Sequence, residues 1–254
     1  MEEFFKQYLL ATIANSARYF IVAGLLFVFF YVFMKNKFEK HKIQTKKASN
    51  EDFKREIKDS VSTMLIFGLS IVVLYSTPLV NYTFLYENPA KYGWVYFFIT
   101  IFLSLIIHDA YFYWTHKWMH GKKWYSLVHK THHVSTNPSP WNSYTFGITE
   151  GFIQAGIIYV LAFILPMSIH ALIAFTFVVM LINAYGHLGF EIAPLWFRKT
   201  VLFKWVATST YHNMHHSEFN GNYGLYFRWW DKLMGTEVPH YEEVYDKLQE
   251  RRSR

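Results

Sequence analysis

Five apolar runs constrain this chain more than any other feature. They are Tyr19–Met34, bounded by Arg18 and Lys35 (Leu9–Ala17 can extend it backward past Arg18), Val61–Leu79, Gly93–Ile107, Gly151–Leu165 and Ser168–Gly186, and apart from Arg18 in that extension none contains Asp, Glu, Lys or Arg. Runs of this length can cross the hydrocarbon core of a bilayer. In lipid every backbone N–H and C=O needs an internal partner, so a spanning segment must be a helix or part of a closed barrel. The runs are continuous and do not alternate with polar residues, which favours helices. The expected fold is an all-α membrane protein, a bundle of about four to five transmembrane or hairpin helices. Little more than Pro166 separates the last two runs, so they read as a helical hairpin. Hydrophobic residues make up 52% of the chain, yet the mean hydropathy is only +0.08. The polar residues must therefore be gathered in a cap outside the bilayer.

Loop charge orients the bundle. The segment 35–58 between the first two runs carries nine Lys or Arg, whereas residues 81–94 carry only Lys91. The positive-inside rule puts the first segment in the cytosol and the second outside. Following the chain through the later runs then places every histidine cluster on the cytosolic side. The basic loop accounts for the formal charge of +7 without a nucleic-acid partner. Glu2 and Glu3 precede the first run, so no cleavable signal peptide is expected. Beyond Gly186 the chain is aromatic and mixed, with helical readings near Pro194–Val206 and Tyr211–Ser217. The tail 241–254 reads as a solvated polar helix. No linker is visible, and residues 1–254 read as one membrane-embedded domain. A bacterial inner membrane and an endoplasmic reticulum both fit.

There are no cysteines, which excludes disulfides, zinc thiolate sites and iron–sulfur clusters. Any transition metal must be held by His, Asp or Glu. Thirteen histidines are present, and eight fall in three clusters: His116 and His120; His129, His132 and His133; and His212, His215 and His216. Residues spaced i, i+3 and i+4 share a helix face, so each cluster is expected to aim its imidazoles in one direction. Neutral imidazole is a good ligand for iron, zinc, copper and nickel. So many nitrogens exceed the needs of one ion and suit a pair, each with a position left for oxygen or water. His187, in NAYGHLGFE, is the ninth candidate. Its neighbours Asn183 and Glu191 lie at i−4 and i+4, where they could complete a coordination sphere directly or through water. His108 lies roughly 12 Å along the helix from His116, too far to share a metal with it, and reads as a neighbour of the site or of a substrate channel. Asp109, Glu150 and Glu218 are candidates to orient imidazoles by hydrogen bonds. A lone histidine is more often packed than ligating, and His41, His170 and His240 are read that way. Phe97, Phe98 and Phe102 could line a lateral route for an apolar substrate, although such a stripe usually packs between helices.

At HDAYFYWTHKWMH, VHKTHHVSTNPSPW, NAYGHLGFE and TSTYHNMHHSEFNGNYGLYFRWWDKLMGT the chain resembles the fatty acid hydroxylase/sterol desaturase superfamily, over about residues 93–240. TNPSPW and GHLGFE look most like the sterol C5-desaturase branch and its bacterial relatives. The resemblance implies a cytosolic helical cap over a non-haem diiron centre with His116, His120, His129, His132, His133, His212, His215, His216 and His187 as ligands. Zinc is a possible substitute for the two irons. It also implies oxygen-dependent hydroxylation or desaturation of a bilayer lipid, sterol-like or fatty acyl, with O2 as co-substrate. No haem-binding segment is recognisable, so electrons are expected from a separate cytochrome b5-like or ferredoxin-like protein. Lys117 stands where the family usually has arginine, which keeps the charge but loses the planar fork.

Two other readings compete. A zinc-dependent membrane hydrolase needs three ligands and an acid/base carboxylate, but no HExxH occurs and the surplus of histidines would go unexplained. A non-catalytic metal carrier would place its ligands in the middle of the spans, whereas these clusters lie past the span ends.

Overall fold

A computed structural model describes residues 1–254. Helix α1 runs from Glu2 to Phe27 and continues as a wider turn over Val28–Phe33. Arg18, at the edge of the first apolar run, therefore lies inside one unbroken helix. Helix α2, Asn50–Tyr75, starts at a capping box. The Ser49 hydroxyl accepts from the Asp52 backbone N–H while the Asp52 carboxylate accepts from the Ser49 N–H, satisfying two donors that the first turn leaves free. Strand β1, Leu85–Tyr86, precedes α3, Trp94–Met119. The short α4, Lys130–His133, follows a single wide turn over Tyr125–His129. Helix α5, Ile148–Ile164, ends ahead of Pro166. Strand β2, Met167–Ser168, pairs in parallel with β1. Helix α6, Ile169–Gly186, is capped by the Ser168 hydroxyl. Helices α7, Ser209–Glu218, α8, Trp229–Met234, and α9, Tyr241–Ser253, complete the chain.

Four helices are long and apolar enough to cross a membrane: Glu2–Phe33, α2, α3 and α6. Helix α5 is apolar but shorter; the chain passes from it to α6 through Pro166, and its helix neighbours are α2 and α3. Between 22% and 44% of the most apolar stretch of each long helix is buried within the protein. The outward faces carry residues such as Ile21, Leu25, Val95 and Phe98, all exposed, as a bundle solvated by lipid requires. Buried contacts among Leu74, Ile158, Leu161, Leu172 and Phe175 join α2, α5 and α6. Small residues set the spacing. A Cβ on Gly68 would lie 2.1 Å from the Thr12 hydroxyl, so α1 and α2 meet where a side chain is missing.

One end of the bundle carries the cap. The basic loop after α1 folds over it: the Ile43 N–H donates to the Gly189 carbonyl, and the Glu191 N–H to that of His41. The tail departs from the sequence expectation. Helix α9 is docked, not free in solvent, with Tyr241, Tyr245 and Leu248 buried. These positions recur at i, i+4 and i+7, an apolar stripe within an otherwise charged segment. Arg198 clamps it through Asp246, with Nε 2.6 Å from Oδ1. Pro194–Val206 also differs, forming two short 3-10 turns, Leu195–Lys199 and Val201–Lys204, in place of an α-helix.

Candidate metal centre

Four segments at the cap end deliver the nine imidazoles. The last turn of α3 carries His116 and ends at His120. The wide turn and α4 supply His129, His132 and His133. His187 ends α6, and α7 carries His212, His215 and His216. Gly186 makes room for the last of these contacts, since a Cβ there would lie 3.3 Å from the His212 ring.

The nitrogens form two groups. His116, His120, His129, His133 and His215 make one, and His132, His187, His212 and His216 the other. Within each group the nearest ligand atoms all lie within 4.8 Å of one another. This corrects the expectation that each cluster points one way. Each H-x-x-H-H segment is divided between the groups. The i, i+4 pair stays together (His129 with His133, His212 with His216) and the remaining histidine turns to the other group. The two groups therefore share the same two segments, and displacing either segment would disturb both.

Hydrogen bonding fixes which ring nitrogen faces inward. His116 Nδ1 donates to the Tyr223 carbonyl at 2.8 Å, His187 Nδ1 to Asn183 at 2.7 Å, His215 Nδ1 to Gly221 at 2.8 Å and His216 Nδ1 to Ser135 at 3.0 Å. His132 Nδ1 donates to the Thr145 carbonyl at 3.3 Å, and His129 Nδ1 to Glu150 Oε1 at 2.7 Å. Carbonyl and carboxylate oxygens accept, so these Nδ1 atoms carry the proton and each Nε2 is a bare lone pair. Those lone pairs converge. Nε2 of His116 lies 2.9 Å from that of His129, and Nε2 of His187 lies 3.2 Å from His132 and 3.1 Å from both His212 and His216. Lone pairs aimed at each other repel unless a cation lies among them. His120 Nε2, also buried, has no partner at all. The donor set therefore fits metal ions, and suits those that accept imidazole nitrogen.

Burial keeps the rings neutral. It lowers His187 and His215 to about 4, and lowers His120 to about 2 with help from neighbouring His215. His129, His132, His133, His212 and His216 are held well below the usual histidine value by burial first and neighbouring imidazoles second. Uncharged nitrogen is the form that binds metal.

The other candidates separate cleanly. Glu150 touches an imidazole, His129. Asn183 holds His187 through its backbone carbonyl, while its side chain donates to the Ser143 carbonyl. Glu191 lies outside both groups and accepts from the Thr210 N–H and hydroxyl. Asp109 accepts from the Tyr226 and Phe227 N–H groups and the Trp229 indole, pinning the loop before α8. Glu218 pairs with His240 on the surface. His41 and His170 face the backbone carbonyls of Glu191 and Glu87, away from both groups. His108 bonds the Tyr226 hydroxyl at 2.7 Å. Lys117 lies over the Tyr113 and Trp114 rings.

Sequence reasoning missed Asp231. It is buried and accepts from the Tyr223 and Gly224 N–H groups, the Tyr211 hydroxyl and the Thr236 hydroxyl. It thereby fixes the turn whose Tyr223 carbonyl holds His116.

An apolar pocket of about 690 Å³, its open mouth included, lies within the bundle beside the two histidine groups. Its lining includes His108, Phe112, Phe146, Asn183 and, deeper, Arg18 and Thr176. The Phe112 ring lies 4.8 Å from that of His116, and the Phe146 ring 5.2 Å from that of His132. Phe112 and Phe146 thus stand between the pocket and the two groups. Phe97, Phe98 and Phe102 are not in its lining: Phe97 packs on the core, and Phe98 and Phe102 lie exposed on the outer flank.

Comparison with known proteins agrees with this geometry. The family model described as fatty acid hydroxylase matches residues 101–236, more than half of the chain. A Delta(7)-sterol 5(6)-desaturase of Gibberella zeae is 27% identical over 243 residues, covering 92% of this chain and 73% of that protein. The lathosterol oxidase of Rattus norvegicus is 28% identical, covering 72% of this chain and 60% of its own length. That of Homo sapiens is 28% identical, with 86% and 70% covered. The chain thus spans 60–73% of these relatives. No solved structure matches.

Proposed function

The chain belongs to the fatty acid hydroxylase family, and from that premise we propose that it is a non-haem diiron enzyme that uses dioxygen to hydroxylate or desaturate a membrane lipid, sterol-like or fatty acyl. The observation that carries this reading is the convergence of nine imidazoles, in groups of five and four, beside an apolar pocket from which the Phe112 and Phe146 rings separate them. His116, His120, His129, His133 and His215 would hold one ion, and His132, His187, His212 and His216 the other. Bound there, ferrous ions would supply the activation of dioxygen that attack on an unactivated C–H bond requires.

The chain's own residues have defined tasks. The Tyr223, Gly221, Thr145, Asn183 and Ser135 carbonyls keep the protons on Nδ1 and the lone pairs on Nε2. Glu150 holds His129 in the same way. Phe112 and Phe146 present hydrocarbon to the substrate and keep water from the imidazoles. The names of the relatives support a lipid substrate. Electrons would come from a separate carrier protein, cytochrome b5-like or ferredoxin-like. The basic loop supports a cytosolic cap. A zinc hydrolase gains no support, because Glu150, the carboxylate in contact with the imidazoles, is bonded to the far side of a ring.

Replacing Glu150 by alanine is expected to weaken metal binding by roughly 10–100-fold, the usual loss when a group that orients a ligand is removed. Competition with a chelator measures it, and unchanged affinity would remove Glu150 from the account. The activity itself is tested by mass spectrometry of lipids incubated with iron-loaded protein, dioxygen and a reductant. A sterol or acyl lipid should gain one oxygen or lose two hydrogens, with no change for His132→Ala. Absence of any such product from both lipid classes would defeat the proposed reaction.

A further inference from the structure

Arg18 is an unusual residue for its position. It is the lone charged side chain between Lys6 and Lys35, roughly 18 Å from the first and 25 Å from the second along the helix. It meets α6 at Thr176, near the middle of that span, and lies in the lining of the apolar pocket. A charge at this depth is costly and is ordinarily paired.

Here it is not paired. Arg18 Nη1 donates to the Thr176 hydroxyl at 2.6 Å, and Nη2 to Asn15 Oδ1 at 2.5 Å and the Tyr144 hydroxyl at 3.0 Å. All three acceptors are neutral. Guanidinium has five N–H donors, and its Nε is buried with no partner. Neutral oxygens satisfy donors without balancing charge, so the pocket holds one uncompensated positive charge among apolar walls. Arg18 and Thr176 are themselves only partly buried, so this end of the pocket opens on the flank of the bundle between α1 and α6.

We infer that Arg18 anchors the carboxylate of a fatty-acyl substrate whose chain lies in the pocket and reaches the histidine groups. One carboxylate balances one guanidinium and can accept from the Nη1 N–H that Thr176 does not use, whereas the lone hydroxyl of a sterol would leave the charge unbalanced. Thr176 lies eleven residues before His187 on α6, about 16 Å along the axis, so the anchored head and the reacting carbon are well separated. This inference rests on the lipid-substrate reading above and narrows it to an acidic acyl chain.

The test measures binding, not turnover, on the detergent-purified full chain. Fluorescent parinaric acid and its methyl ester are titrated into wild type, Arg18→Gln and Arg18→Lys. The acid should bind wild type at least about tenfold more tightly than Arg18→Gln, and Arg18→Lys should retain most of the affinity. Equal ester binding to all three proteins shows that the pocket is intact in each. Equal binding of acid and ester to wild type would overturn the anchor and leave a lipid pocket standing. Displacement of the acid by a neutral sterol would overturn it in favour of the sterol reading. Failure of both probes to bind would defeat the anchor and the pocket assignment together.

Discussion

His129→Ala, His132→Ala and His133→Ala should each reduce lipid oxidation to background and lower the metal bound per chain. His129 and His133 belong to the group of five, His132 to the group of four. Losing either side should therefore be enough to stop a reaction that needs two ions. The losses should exceed the roughly 10–100-fold typical of removing a residue that only orients a ligand. His187→Ala should be at least as severe, because its Nε2 faces those of three other histidines. His170→Ala and His240→Ala serve as controls. One ring faces the Glu87 carbonyl and the other Glu218, both away from the site, so metal content should not change. Elemental analysis beside the lipid assay reads all of these variants. Full activity in His132→Ala would be incompatible with the two-group centre.

Asp231→Ala should damage the cap nearly as much through a different route. Four donors would lose their acceptor inside the protein: two backbone N–H groups and two hydroxyls. Each buried donor left unsatisfied costs on the order of 1–3 kcal/mol, so a loss of about 3 kcal/mol or more is expected. The turn holding the Tyr223 carbonyl would loosen, and His116 Nδ1 would lose its acceptor. Thermal unfolding should shift downward and metal affinity should fall with it. A variant with unchanged stability and metal content would show that Asp231 does not support the centre.

The spans were legible in the sequence because uncharged runs of that length have few other fates. Eight of the converging histidines were legible because their spacing repeats, whereas His187 stands alone in sequence and drew notice through Asn183 and Glu191 at i−4 and i+4. The division of each H-x-x-H-H segment between two groups was not, because spacing sets directions around one helix and cannot say what packs on each side of it. The oxygens that hold the rings were also hidden. Most are backbone carbonyls, such as those of Thr145 and Tyr223, and a carbonyl belongs to every residue type. Asp231 lies beyond the turn-rich FNGNYG stretch and gives no sign in sequence that both hydroxyl and backbone donors fold back onto it. Arg18 reads naturally as the end of an apolar run. Its place inside a membrane-length helix emerges once α1 is seen to be continuous from Glu2.

The measurement that bears most directly on the account is the metal content of the full chain, purified in detergent under nitrogen and analysed for iron and zinc. The account predicts about two iron ions per chain, with zinc able to take their place when iron is scarce. Folded protein with no bound metal, even after incubation with ferrous iron, would contradict it.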